Sequence, residues 1–238
     1  MQVSCKELRK RAWEKLSHGN YWTSVLVTLA VSIANGVAGV FTSGPLAYGS
    51  SKFFLCTQRN QDANFEMLGD GFNRYGKTFL TGLALMLFMF LWSLVIIVPQ
   101  IIFSVCLVWI RMDMAQTIVP SILALTCCAI MLIMCWLPIV KSLSYRMTFY
   151  VMVDFNLSGR KAISKSVELM KGYKAKLFRL GLSFFGWYLL SSLTFGIGAI
   201  FLAPYVEATV AEFYAELLDC HGIVPPQSDE QNTDSLNF

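Results

Sequence analysis

The sequence predicts an all-α, polytopic membrane protein of about six transmembrane helices, arranged as three helical-hairpin repeats that each turn at a proline. Three observations lead there. Hydrophobic residues make up 55% of the 238 and charged residues only 14%, with a mean hydropathy of +0.55, whereas soluble domains carry about 25% charged residues. Four apolar runs, 21–41, 79–98, 118–137 and 177–203, each supply the roughly 20 residues that a helix needs to cross a hydrocarbon core of roughly 30 Å. The basic residues collect in a few short segments between those runs.

The elements follow in chain order. Residues 6–15 are basic, and Leu8, Ala12 and Leu16 recur at helical spacing, as in a helix on a membrane surface. Run 21–41 exceeds the apolar stretch of about 7–15 residues in a signal peptide, and no small-x-small cleavage site follows it closely, so it reads as an uncleaved helix. Ala30, Ala34 and Ala38 give it a face of small side chains on which another helix can pack closely. Gly44-Pro45 reads as an outer turn, since proline suits the first turn of a helix, and the stretch after it as a short return helix with Lys52 in the bilayer zone. The alternative is an interfacial helix lying flat, with Phe53, Phe54 and Leu55 in lipid.

Run 79–98 ends at Pro99, run 118–137 carries no charge, and residues 100–137 read as an apolar insertion between Pro99 and Pro138. In 158–176, Ile163, Val167 and Met170 recur at helical spacing. Lys161, Lys165, Lys171 and Lys174 occupy much of the rest, as headgroup contacts of a helix on an anionic membrane. Run 177–203 is the last long span, followed by a turn at Pro204 and a return helix. Residues 1–220 thus form one membrane domain, and 221–238 read as a polar, acidic, disordered tail.

Charge tests the number of crossings, because Lys and Arg accumulate in short cytoplasmic loops. With only the four long runs spanning, residues 6–15 fall opposite the basic segment 141–176. If the stretches after Pro45 and Pro204 also cross, both basic blocks join Arg59, Arg74 and Lys77 in the cytoplasm, and Arg111 is left as the obvious basic residue outside. Six crossings, with both termini inside, satisfy the rule.

The repeat rests on three copies of Leu-x-x-Gly, at Leu16, Leu68 and Leu169, each ahead of an apolar run that ends near a proline. It also aligns charges. Lys141 and Arg146 stand at the same offsets from Pro138 as Glu207 and Glu212 do from Pro204, with opposite sign. Return helices packed side by side would set Lys141 against Glu207 and Arg146 against Glu212, with Lys52 able to join, and each pair would offset a charge that is costly in lipid. Alternatively the basic pair snorkels to the interface while the acids face water.

Seven scattered cysteines and two histidines, His18 and His221, give no CxxC, no HExxH and no nucleophile with a base beside it. No catalytic, cofactor or metal site is expected. The basic segments stand directly before spanning helices, so lipid headgroups, not nucleic acid, are their expected partner.

The segments KELRKRAWEKLSHGNYW, SGPLAYGSSKFFL, FLWSLVIIVP, SLSYRMTFYVMVDFNLSGRKAISKSVELMKGYKAKLFRLGLSFFGW and GIGAIFLAPYVEATVAEFY resemble the bacterial integral-membrane family catalogued as domain of unknown function 975. The likeness covers nearly all of 6–218, with 100–137 as the departure. The family is similar, more remotely, to membrane domains of some glycerophosphodiester phosphodiesterases, whose catalytic barrel has no counterpart here. The resemblance implies a multi-pass protein of the bacterial cytoplasmic membrane and supplies no catalytic or binding residues. A non-enzymatic membrane interaction module, with a protein partner or a second copy, is the function expected. The rival is a small transporter or lipid-handling protein, in which charges would converge on a midplane cavity.

Overall fold

The structure is a computed structural model that describes residues 3–17, 21–111, 119–194 and 196–225, and those residues form helices and connecting turns with no strand. In order they are α1 (Cys5–Ser17), α2 (Tyr21–Ala38), α3 (Val40–Gln58), a 3-10 turn (Phe65–Leu68), α4 (Asp70–Asn73), α5 (Tyr75–Arg111), α6 (Val119–Tyr145), α7 (Thr148–Phe155), α8 (Arg160–Leu169), α9 (Lys174–Leu193) and α10 (Ile197–Cys220). Two helix boundaries fall where the backbone must turn left-handed, at Gly39 (φ 43°) between α2 and α3 and at Gly196 (φ 84°) between α9 and α10, a region that a Cβ makes costly.

The prolines do not make the turns. Pro45, Pro99, Pro138 and Pro204 all lie inside helices, which corrects the expected outer turn at Gly44-Pro45 and the expected single span over 177–203. Pro45 shows how this is tolerated. It has no N–H to donate to the carbonyl of Phe41 four residues earlier, and the Tyr75 hydroxyl donates to that carbonyl instead, at 3.3 Å. Residues 100–111 continue α5 and residues 119–137 belong to α6, its antiparallel neighbour, with Phe88 stacked on Tyr145 and the Lys141 ammonium 4.7 Å from the Trp92 ring centroid; the part of the expected insertion at 112–118 lies outside the described residues.

The buried core lies at one end of the molecule. Phe53, Phe54 and Leu55 of α3, Met147 and Val151 around α7, and Phe213, Tyr214 and Leu217 of α10 are almost wholly shielded. The return helix α3 is therefore central. It neither exposes Phe53, Phe54 and Leu55 to lipid nor stands apart from the segment that precedes α5. Residues 68–82 run along its length, and four glycines let the backbones touch. A Cβ on Gly49 would stand 2.6 Å from the Leu68 carbonyl oxygen and one on Gly82 2.8 Å from the Gly44 Cα, while one on Gly71 would overlap the Pro45 carbonyl and one on Gly44 that of Thr78.

The amphipathic lead-ins also face inward. Leu8, Ala12 and Leu16 of α1, Ala162 and Leu169 of α8 and Met170 just past it are buried in the core, and Ile163 is buried with Val167 half-buried, so most of the apolar stripes expected to lie in lipid is covered by protein. The three Leu-x-x-Gly leucines, Leu16, Leu68 and Leu169, are all buried. Three helices that return to this end close in the left-handed region, at Asn60, Asn156 and Gly222. At Asn60 and Gly222 the last turn is sealed by paired backbone bonds: Gln61 N–H to the Cys56 carbonyl (2.9 Å) and Asn60 N–H to that of Thr57 (3.2 Å), then Ile223 N–H to that of Leu218 and Gly222 N–H to that of Asp219 (both 3.1 Å). The first residues of the expected disordered tail are thus part of a helix cap, with the His221 ring against Tyr173; the remainder, 226–238, lies outside the described residues.

At the other end the surface is apolar. Leu80, Leu87, Phe90 and Ile101 of α5, Leu125 of α6, Leu189 and Leu193 of α9 and Ile197 of α10 are all more than half exposed. Two helical stretches, Tyr75–Val95 and Ile197–Cys220, are long and apolar enough to cross a membrane, and Tyr21–Val37 is apolar but shorter.

Candidate functional site

The helix ends at the core deliver charged side chains from segments far apart in sequence, and the structure joins them in pairs. Arg59, just past α3, holds Asp154 near the end of α7 through both carboxylate oxygens, at 2.7 and 2.9 Å, and the Asp154 side chain is only 2% exposed. Arg74 reaches Asn156 beside it. Lys52 of α3 binds Asp70 of α4 at 2.8 Å. Lys15 of α1 binds the buried Glu212 of α10 at 2.5 Å. Arg146, between α6 and α7, binds Glu207 of α10 at 2.5 Å, and the Tyr150 hydroxyl donates to the other Glu207 oxygen at 3.4 Å.

These pairs correct the expected partners. Arg146 meets Glu207, not Glu212; Glu212 is held by α1; and Lys141 rests on the Trp92 ring, a cation–π contact. The offset rule failed because α6 ends at Tyr145 and α7 starts at Thr148, so Arg146 sits in the bend itself, whereas Glu207 and Glu212 share one continuous helix. Of the lysines assigned to headgroups, Lys161 and Lys171 are exposed, Lys174 is half-buried at the start of α9, and Lys165 lies 3.5 Å from Glu168 on its own helix. Asp154 was the legible signal among the residues missed, because an acid inside the apolar stretch TFYVMVDF needs a partner. Nothing in the spacing identified Arg59.

The exchange of partners has a direct test. Arg146→Glu and Glu207→Arg are each expected to lower the yield of folded protein, and the two together to recover much of it. Arg146→Glu with Glu212→Arg is expected to add the losses, since that pair shares no contact. Monodispersity of a fluorescent fusion on size-exclusion chromatography in mild detergent reads both outcomes, and recovery in the second combination contradicts the pairing.

One groove adjoins this layer. Its lining comes from α1 (Arg9, Trp13), α9 (Trp187, Leu190) and α10 (Phe201, Tyr205), with a volume of about 500 Å³. Among the described residues no group of three or more His, Cys, Asp or Glu side chains could hold a metal ion.

Against known proteins, a family model described as protein of unknown function (DUF975) matches residues 1–220. No curated protein and no solved structure matches the chain.

Proposed function

The chain belongs to the DUF975 family, and from that premise we propose that it is an integral membrane protein acting as a non-enzymatic interaction module, held in a bacterial cytoplasmic membrane with its charged end in the cytoplasm. The observation that carries this is the apolar surface of α5, α6, α9 and the first turns of α10. Monomeric soluble proteins rarely expose contiguous apolar patches beyond a few hundred Å², and a lipid environment removes that cost.

Contacts among the basic segments support one cytoplasmic end. Arg59 meets Asp154, Arg74 meets Asn156, and the Gly159 N–H donates to the Thr81 hydroxyl at 2.8 Å, so 59–81 and 154–159 lie together, as the positive-inside rule asks. Six crossings, however, set the α2–α3 turn on the face opposite the start of α5. Phe41 stacks on Phe79 at 6.0 Å and accepts from Tyr75, which favours α2 and α3 staying with the cytoplasmic end while α5 and α6 cross and the apolar α9–α10 turn enters the membrane. Closed ion pairs and a filled core favour an interaction module over a transporter, whose charges would line a shared path.

Single cysteines, in a background cleared of native ones, test this in the membrane. The protein is expected to resist alkaline carbonate extraction. A Cys at Ser164 or at Val40 should react with an impermeant maleimide in inverted vesicles but not in intact cells, and one at Asp113, between α5 and α6, should do the reverse. Labelling of Val40→Cys from outside restores the six-crossing scheme, and labelling of Ser164→Cys from outside overturns the orientation.

A further inference from the structure

The groove beside α1 has one charged wall and otherwise apolar ones, and its cation is treated unlike its neighbours. Lys15, Lys52, Arg59 and Arg146 each hold a carboxylate. Arg9 holds none among the described residues. Its guanidinium lies 4.8 Å from the Phe184 ring centroid and 5.8 Å from that of Tyr205, and its Nε–H donates to the Tyr205 hydroxyl at 3.3 Å. One N–H is thus engaged, while the outer nitrogens keep the fork that suits phosphate oxygens. Trp13 packs edge-on against both Tyr21 (5.9 Å) and Tyr205 (5.7 Å), with Trp22 next to Tyr21 and more than two-thirds exposed. Tryptophan and tyrosine gather in this way at the headgroup level.

Away from Arg9 the side-chain hydroxyls that line the groove are already engaged. The hydroxyls of Ser191 and Thr194, which line it, are spent on their own helix, donating to the Trp187 and Ser191 carbonyls at 2.8 Å each. The lining from Tyr205 up to Gly198 spans eight residues of α10, about 10 Å at a rise of 1.5 Å per residue. A volume of about 500 Å³ falls within the roughly 300–1,000 Å³ of small-molecule sites, and the half-exposed Trp187 and Leu190 flank its open side.

We propose that this groove seats one membrane phospholipid, its phosphodiester on the Arg9 guanidinium and its acyl chain against Trp187, Leu190 and Phe201. The inference rests on the membrane reading above and adds a site to it. A partner helix or a second copy would fill the apolar wall, but it would leave Arg9 without an anion unless it also brought a carboxylate to that end.

The test uses the full-length protein, purified in mild detergent, delipidated, and incubated with phosphatidylglycerol, diacylglycerol or glycerol phosphate before native mass spectrometry. Phosphatidylglycerol is expected to remain bound, with diacylglycerol and glycerol phosphate each retained at least tenfold less. Arg9→Gln should lower phosphatidylglycerol retention about tenfold, the scale of one charge-assisted hydrogen bond, and Arg9→Lys should restore part of it. Leu190→Trp, which fills the groove and leaves Arg9 in place, should also lower retention while the melting temperature stays near that of the wild type, so loss of fold is separated from loss of binding. Equal retention by Arg9→Gln and wild type, or equal binding of diacylglycerol and phosphatidylglycerol, overturns the proposal. So does efficient cross-linking of Leu190→Cys between copies in the lipid-free protein, which gives the groove to a second chain. A protein released by alkaline carbonate refutes the membrane reading itself, whereas one that needs detergent yet shows no lipid preference refutes only the site.

Discussion

Replacing Arg59 by Met is expected to abolish most of the folded yield, and to cost more than replacing Asp154 by Ala, although both remove the same ion pair. The difference comes from what is left behind. Asp154 is only 2% exposed, so without Arg59 its charge stays buried; Arg59 is 33% exposed and can turn to water when the acid is gone. Breaking a buried pair by removing one partner costs about 3–5 kcal/mol, and the upper part of that range belongs to Arg59→Met. Replacing both, Arg59→Met with Asp154→Leu, should restore much of the yield, because an apolar pair of similar volume is often neutral. Thermal melting in detergent followed by size-exclusion chromatography measures the series. Equal losses from the two single changes, or strictly additive ones in the double, refute the pair as an anchor between α3 and α7.

Gly71→Ala is expected to be nearly as damaging, from one added carbon. That carbon would overlap the Pro45 carbonyl, and Gly49→Ala would place one 2.6 Å from the Leu68 carbonyl oxygen. In both cases the obstacle is backbone, which cannot rotate away as a side chain can. Overpacking usually costs about 1–3 kcal/mol, and these sites belong at the top of that range, since α3 and the segment before α5 would have to separate. Gly181→Ala is the control. It sits inside α9 with nothing within 4 Å of the new carbon, so the helix should gain up to about 1 kcal/mol. Melting temperatures of the three variants should fall, fall and hold or rise; a stable Gly71→Ala protein contradicts the close contact.

The helical class and the place of the basic lead-ins were legible from composition and spacing, and α1 and α8 form where Leu8, Ala12 and Leu16, and Ile163, Val167 and Met170, recur at helical spacing. Their targets were not. An apolar stripe looks the same whether lipid or protein covers it, and only the tertiary arrangement decides. The turns were misread for a similar reason. Hydropathy sees no break at Gly39 or Gly196, because the residues around them are as apolar as the helices, while a proline within a helix is as conspicuous as one in a turn. The ion pairs were half legible. Glu207 and Arg146 stood out as charges among apolar neighbours, but their pairing depends on the bend between Tyr145 and Thr148, which opposes the regular offset that the prolines suggested.

The length of α5 carries a consequence for the bilayer itself. Its first turns, to Gly82, pack against α3 at the charged end, and from there to Arg111 no charged residue interrupts it, a stretch of about 40 Å at 1.5 Å per residue against a hydrocarbon core of roughly 30 Å. A tilt of about 40°, the limit usual for membrane helices, would just match it to that core. In the membrane arrangement proposed above, the excess would be taken up by tilt, by bending, for which Pro99 provides the place, or by thickening the surrounding lipid. Hydrophobic mismatch would then make the α5–α6 hairpin a gauge of membrane thickness, favouring long-chain, thicker regions by an elastic preference of the lipid, with no receptor needed.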